Sequence, residues 1–187
     1  MKIPLSKLKA MVLFFASNTN LATLGKVKLM KLFYFCDFSN IKKHGAPITY
    51  DTYVHLEHGP IPSTIMNLVN QVEDDFENAI LADTIKISSG SNELIHRIVP
   101  LREFTNNDRK YFSPLELETM ERICQRFKDS IGKQLEDISH DEMPWRKTNL
   151  LEIIPYSLAA EDSDTEVSKE EIELLLKITD CQNDTNN

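Results

Sequence analysis

Three cysteines, five glycines and one tryptophan in 187 residues leave several chemistries without raw material. Cys36, Cys124 and Cys181 are odd in number, far apart and in no metal-ligand spacing, which indicates neither a disulfide framework nor a thiolate zinc site and fits a reducing, cytosolic setting. The glycines stand singly, and none is followed by the Lys-Ser/Thr of a phosphate-cradling loop. No Gly-x-Ser-x-Gly elbow and no HExxH helix is present, so the usual signatures of serine hydrolases and zinc proteases are missing. No apolar run approaches the ~18 to 20 residues that span a bilayer. The opening MKIPLSKLKAMVLFFAS has early lysines and a short apolar run, but its polar residues recur at helical spacing and no small-residue cleavage site follows, so it reads as a first helix. Positive charge is also short: 21 Lys and Arg face 29 Asp and Glu, a net charge of -8, which argues against domain-wide attraction to nucleic acid. The acidic excess gathers at Glu73 to Glu77 and Glu161 to Glu173, where it is expected to keep exposed faces solvated.

What is present is an ordinary globular composition, 41% hydrophobic and 27% charged, of single-domain length. The spacing predicts helices over Pro4 to Ser17 and over Gly25 to His44, the second closed by Gly45 and barred from resuming by Pro47. On that second helix Lys28, Lys31, Ser39 and Lys42 share one stripe, expected to face solvent, while the rest is apolar. Ile48 to Leu56 reads as a strand and Gly59-Pro60-Ile61-Pro62 as a rigid corner, because the prolines lack donors. Ser63 or Thr64 is placed to cap a third helix with Ile65, Leu68, Val69, Val72, Phe76 and Ile80 inward, ending before Asp83. Thr84 to Ser88 and Glu93 to Leu101, joined by Ser89-Gly90-Ser91-Asn92, read as a hairpin. Ser113-Pro114-Leu115-Glu116 announces a helix to about Lys128; a shorter one follows around Leu135 and Ile138, then a turn from His140 to Trp145. An acidic linker from Glu161 precedes a last amphipathic helix, Lys169 to Thr179, and a tail from Asp180 expected to be disordered. The fold class is therefore α+β, a mainly α-helical single domain (1–160) with a small antiparallel sheet (48–56 plus 84–101), followed by a linker, helix and tail (161–187).

Asp37 falls in the apolar arc of the second helix, where an unpaired carboxylate is costly, so a partner is expected among Tyr50, Tyr53, His55 and His58. A structural pair and a role at a partner surface are both open at this point. The histidines with His140 and Asp37 lack the tight spacing of a zinc site, and no metal or cofactor is expected. Together with Lys31, His55, His58 and His140 would suit an enzyme on a phosphorylated or nucleotide-like substrate if the fold gathered them in one hydrated pocket. Trp145 either fills core or anchors an interface. The last helix packs on its own domain or in a partner's groove.

The run Lys28-Leu29-Met30-Lys31-Leu32-Phe33-Tyr34, then Asp37, Gly45-Ala46-Pro47-Ile48, Tyr53 and His58-Gly59-Pro60, resembles the signature of the Panacea domain of SocA-like antitoxins and phage-associated GepA-type proteins. Leu135, the spacing from His140 to Trp145 and Ile154-Pro155 are similar to that family's C-terminal half, so the resemblance covers about residues 3 to 160. It implies a bacterial cytosolic antitoxin, encoded with a toxin and neutralising it by direct binding rather than catalysis. Some members hand their toxin to a cellular protease, which makes a proteolytic adaptor or regulatory subunit the alternative. No room for a DNA-binding module precedes the first helix, so self-repression of an operon is not expected. On this resemblance the partner-binding or signature residues are Lys31, Tyr34, Asp37, Tyr50, Tyr53, His55, His58, Gly59, Pro60, His140 and Trp145.

Overall fold

A computed structural model describes residues 4–89 and 96–184 of the chain. Helix α1 (Leu5–Asn18) buries Leu8, Met11, Val12 and Phe15 together with Ala10, Leu13, Phe14 and Ala16, while Leu5 stays exposed. Its last turn closes on itself through Asn18 Nδ2 to Phe14 O and Thr19 Oγ1 to Phe15 O, 2.8 Å each. Helix α2 (Lys26–His44) is the axis of the molecule, and every residue from Lys28 to Phe38 is buried. Gly45 stops it in the left-handed region, φ 79°, with its N–H on Ile41 O, and Lys42, Lys43 and His44 suit the negative end of the helix dipole.

The lysine stripe does not face water. Lys28 and Lys31 are wholly buried and Lys42 is 5% exposed. A helical wheel says which residues share a face, not what covers that face. Here the helix is surrounded: α1, α3 (Ser63–Asp74), α5 (Pro114–Arg126), α6 (Gly132–Asp141) and a 3-10 turn (Tyr156–Glu161) all pack on it.

The β-structure forms two separate two-stranded sheets rather than one. Strand β1 is only Tyr53–Leu56, and it pairs antiparallel with β2 (Gly59–Pro62), so the corner is itself a strand, registered Tyr53 to Pro62 and His55 to Pro60. Its prolines are tolerated because β2 has no strand on its outer side. Strands β3 (Ile85–Ser89) and β4 (His96–Pro100) form the expected hairpin; the link from Gly90 to Asn92 and the start of the second arm at Glu93 lie outside the described residues.

Helix α3 ends at Asp74, earlier than expected, leaving Phe76 and Ile80 exposed at 43% and 44%. The run Glu73-Asp74-Asp75 puts negative charge at the negative end of a helix, which disfavours continuation. Its N-terminus is capped from a distance: Asp51 accepts from Thr64 N at 3.0 Å and Ile65 N at 3.1 Å, where Ser63 or Thr64 was expected to serve. A four-residue helix that the sequence did not announce, α4 (Asn106–Arg109), is closed by Asp108, which Arg102 grips at 2.7 and 2.8 Å. The Ser113/Glu116 box opens α5 as expected. After α6 comes α7 (Met143–Arg146), a single turn holding Trp145, and finally α8 (Lys169–Asp184), which continues beyond Thr179 instead of giving way to a disordered tail. Helix α8 packs on its own domain: Ile172 is buried, Leu175 lies over Gly45, and Tyr50 OH is 3.4 Å from Thr179 Oγ1. No helix among the described residues is long and apolar enough to cross a membrane.

Candidate functional site

Three polar groups of α2 tie it to the chain that follows. Asp37, wholly buried, accepts from Ile48 N, Thr49 N and Tyr53 OH at 2.8 Å each, from Thr49 Oγ1, and from Tyr156 OH at 3.4 Å. Tyr53 is the partner among the four expected; Tyr50, His55 and His58 are not. Burial pushes the Asp37 carboxyl up to about 6, and the Thr49, Tyr53 and Ile48 bonds pull against that rise.

Lys42 gathers three carboxylates: Glu142 and Asp162 at 2.9 Å and Asp164 at 3.1 Å. Burial works against its ammonium, but Glu142 and Asp162 outweigh burial and hold its pKa above the usual lysine value. The acidic segment read as solvated is in this part held: Asp162 is half-buried against Lys42, and Glu166 N donates to Lys42 O at 2.8 Å. Tyr34 sits beside this clamp, wholly buried, its phenol raised well above the usual range by burial and then by Glu142.

Lys31 has far less. Its Nζ donates to Pro60 O at 3.0 Å, and burial lowers its pKa to about 7, only partly opposed by Glu136. The corner is built around it. Gly59 has φ 88°, and a Cβ there would meet Lys31 Nζ at 2.5 Å, Ser139 Oγ at 2.7 Å and His140 Nε2 at 3.1 Å, so only glycine lets the corner approach α2 and α6. Trp145 lies between two imidazoles, stacked on His140 at 3.9 Å and on His55 at 4.4 Å. His55 Nδ1 is 2.9 Å from Thr148 Oγ1; His140 Nε2 and Trp145 Nε1 are buried atoms with no hydrogen-bond partner. Burial lowers the pKa of both imidazoles. His58 is different: exposed, with Nδ1 3.3 Å from Glu136 Oε2.

Two cavities flank His58. One of about 650 Å³ is bounded by the N-termini of α2 and α6, with Lys26, Glu73, Lys133 and Glu136 in its wall. The other, about 400 Å³, is apolar, lined by Val27, Met30, Leu56, Ile61, Met66 and Leu150. Lys31, His55 and His140 line neither, so the two imidazoles that stack on Trp145 and the nearby Lys31 lie outside both cavities, and only His58 of the three histidines borders them. Among the described residues no group of three or more His, Cys, Asp or Glu is arranged to hold a metal.

The family model described as Antitoxin SocA-like, Panacea domain matches residues 29–146. The chain belongs to this family. No curated protein and no solved structure matches it. The Panacea match is narrower than the resemblance, which ran from about 3 to 160, but it takes in α2 from Leu29, the β1–β2 corner and the His140 to Trp145 turn. Of the residues singled out beforehand, Lys31, Gly59, Pro60, His55, His140 and Trp145 come together at one end of α2, with His58 at the rim. Tyr34, Asp37 and Tyr53 lie in the buried middle of the Panacea domain, and Tyr50, in the left-handed region at φ 52°, contacts α8. The sequence reading missed Ser139, Glu136, Thr148 and Asp51, whose roles depend on partners 3 to 93 positions away in the chain. It also missed the run from Leu150 to Ile154, although five residues with four aliphatic side chains carried a strand signal.

Proposed function

We propose that this Panacea-domain chain is the antitoxin of a toxin–antitoxin pair, acting in the bacterial cytoplasm, and that it neutralises its toxin by direct protein contact rather than by catalysis. The binding face is the one formed by β1, the Gly59-Pro60 corner and the His140 to Trp145 turn. The observation that carries the reading is the family match, which brackets all of these segments. The build of the face supports it. The stacked rings and the buried glycine corner lie beneath that face and hold it rigid, which keeps the entropic cost of association low. A standard interface of roughly 800 Å² per partner covers it with room for a few dominant anchors. A binding role also suits Lys31, His55 and His140, which pack against one another and border neither cavity.

The test is co-expression with the neighbouring gene. Growth arrest by that gene alone, relief when this chain is present, and recovery of the two proteins as one complex are the expected outcomes. A neighbour that is not toxic, or toxicity that persists with this chain soluble and abundant, contradicts the proposal.

A further inference from the structure

We infer that residues 151–154 form an open strand edge onto which the toxin adds an extended apolar segment carrying basic side chains; the inference rests on the antitoxin reading above. These residues already act as a third strand beside β1. His55 N donates to Glu152 O at 2.9 Å, Leu151 N to His55 O at 2.8 Å and Ile154 N to Tyr53 O at 2.9 Å, with Val54 and Ile153 opposed. In that register the N–H and C=O of Ile153 point away from β1, and among the described residues they enter no backbone hydrogen bond. An unpaired edge of this kind is a template for another strand.

Its side chains are those of an interface. Leu150, Leu151 and Ile153 are 60%, 73% and 64% exposed, three large aliphatic side chains within four residues offered to water beside the apolar cavity that Leu150 helps to line. Leu151 is also held at φ 70°, a region that leucine avoids. His55 faces both Leu151 N and Glu152 O, a bulge, and bulges re-aim side chains. Here the strained backbone turns a leucine outward, at a cost in stability and with no intramolecular burial to offset it.

Charge identifies the occupant. Glu57, in the wall of the apolar cavity, and Glu152, between Leu151 and Ile153, form no salt bridge among the described residues, Glu152 accepting only from Asn149 N and Nδ2 at 2.8 and 3.2 Å; Lys26, at the cavity rim, is already engaged by Glu73 at 2.9 Å. A second copy of this chain, with net charge -8, would set like carboxylates against these two, whereas a strand with Lys or Arg beside its apolar residues completes them.

The deciding experiment measures the Kd of the purified full chain for the neighbouring gene's toxin, alongside thermal melting and gel filtration. Leu151→Gly removes the side chain and relieves the backbone, so its Tm is expected to equal or exceed the wild type while toxin affinity falls at least ~10-fold. Ile153→Pro deletes the outward N–H and the Ile side chain but no hydrogen bond to β1, and is expected to weaken binding with the fold retained. Glu57→Lys is expected to weaken it further at low salt than at high. Leu151→Gly and Ile153→Pro proteins that melt normally and bind like the wild type overturn the edge while leaving the antitoxin reading intact. A wild-type chain that binds no toxin overturns both, and a wild-type dimer that Leu151→Gly converts to monomer assigns the edge to a second copy instead.

Discussion

Two buried lysines, eleven positions apart on one helix, are treated in opposite ways. Lys42 sits among Glu142, Asp162 and Asp164, and its charged form is favoured despite burial. Lys31, just as deeply buried, has a single carbonyl, and its pKa is lowered to about 7. The Lys42 end of α2 is a closed structure in which the last turn of the helix is locked to the segment after α7. The Lys31 end is left incompletely paired, next to a glycine corner, two orphaned ring nitrogens and the open edge at Ile153. Buried polar atoms without a hydrogen-bond partner occur at both ends, His44 Nε2 and Glu142 Oε2 at one and His140 Nε2 and Trp145 Nε1 at the other, so the difference lies in the lysines: the end whose buried ammonium has no counter-charge in contact is where function is expected to lie.

The comparison breaks first at its closed end. Lys42→Met leaves two half-buried carboxylates without a counter-charge and is expected to cost about 3 kcal/mol in urea unfolding. Asp37→Leu, which strands two backbone N–H groups and the Tyr53 hydroxyl, is expected to cost about 3 kcal/mol in the same assay. If its melting is unchanged and only toxin binding is lost, Asp37 belongs to the interface instead. At the open end the effects are smaller. Gly59→Ala, forced to φ 88° and against Lys31 Nζ, is expected to cost about 2 kcal/mol, read as a lower urea midpoint. Lys31→Met is expected to be at least as stable as wild type at pH 7, since it gives up one hydrogen bond to a carbonyl but also removes an ammonium whose burial is poorly compensated. Its signature is in the pH profile. Between about 7, the folded value, and 10.5, the unfolded one, the unfolded chain holds a proton that folded Lys31 releases. The wild type therefore gains stability as pH rises through that window, at up to about 1 kcal/mol per pH unit, and Lys31→Met lacks that gain.

Much of this was legible from local pattern. Helix α2, its glycine stop, the Ser113 and Ser168 caps and the β3–β4 arms follow from spacing and capping chemistry that act within a few residues. The demand that Asp37 find a partner also followed, because an unpaired carboxylate in an apolar arc is costly, and Tyr53 is one of the two tyrosines and two histidines expected to meet it. What was not legible depends on coverage. The lysine stripe of α2 reads as a solvated face on any helical wheel, and only the arrival of α6 and the 3-10 turn from more than 90 residues away buries it. The Trp145 stack and the Asp51 cap are likewise agreements between distant segments, and the open edge at Ile153 is visible only once β1 has claimed its other side.

The most direct measurement is hydrogen–deuterium exchange on the whole chain with and without the neighbouring gene's toxin. Slowed exchange confined to residues 53–62 and 140–154, with the Ile153 amide among the most protected and α8 and the β3–β4 hairpin unchanged, is the predicted result. Protection that falls on α5, α8 or the β3–β4 hairpin, with the corner and the 151–154 edge exchanging as in the free protein, contradicts it.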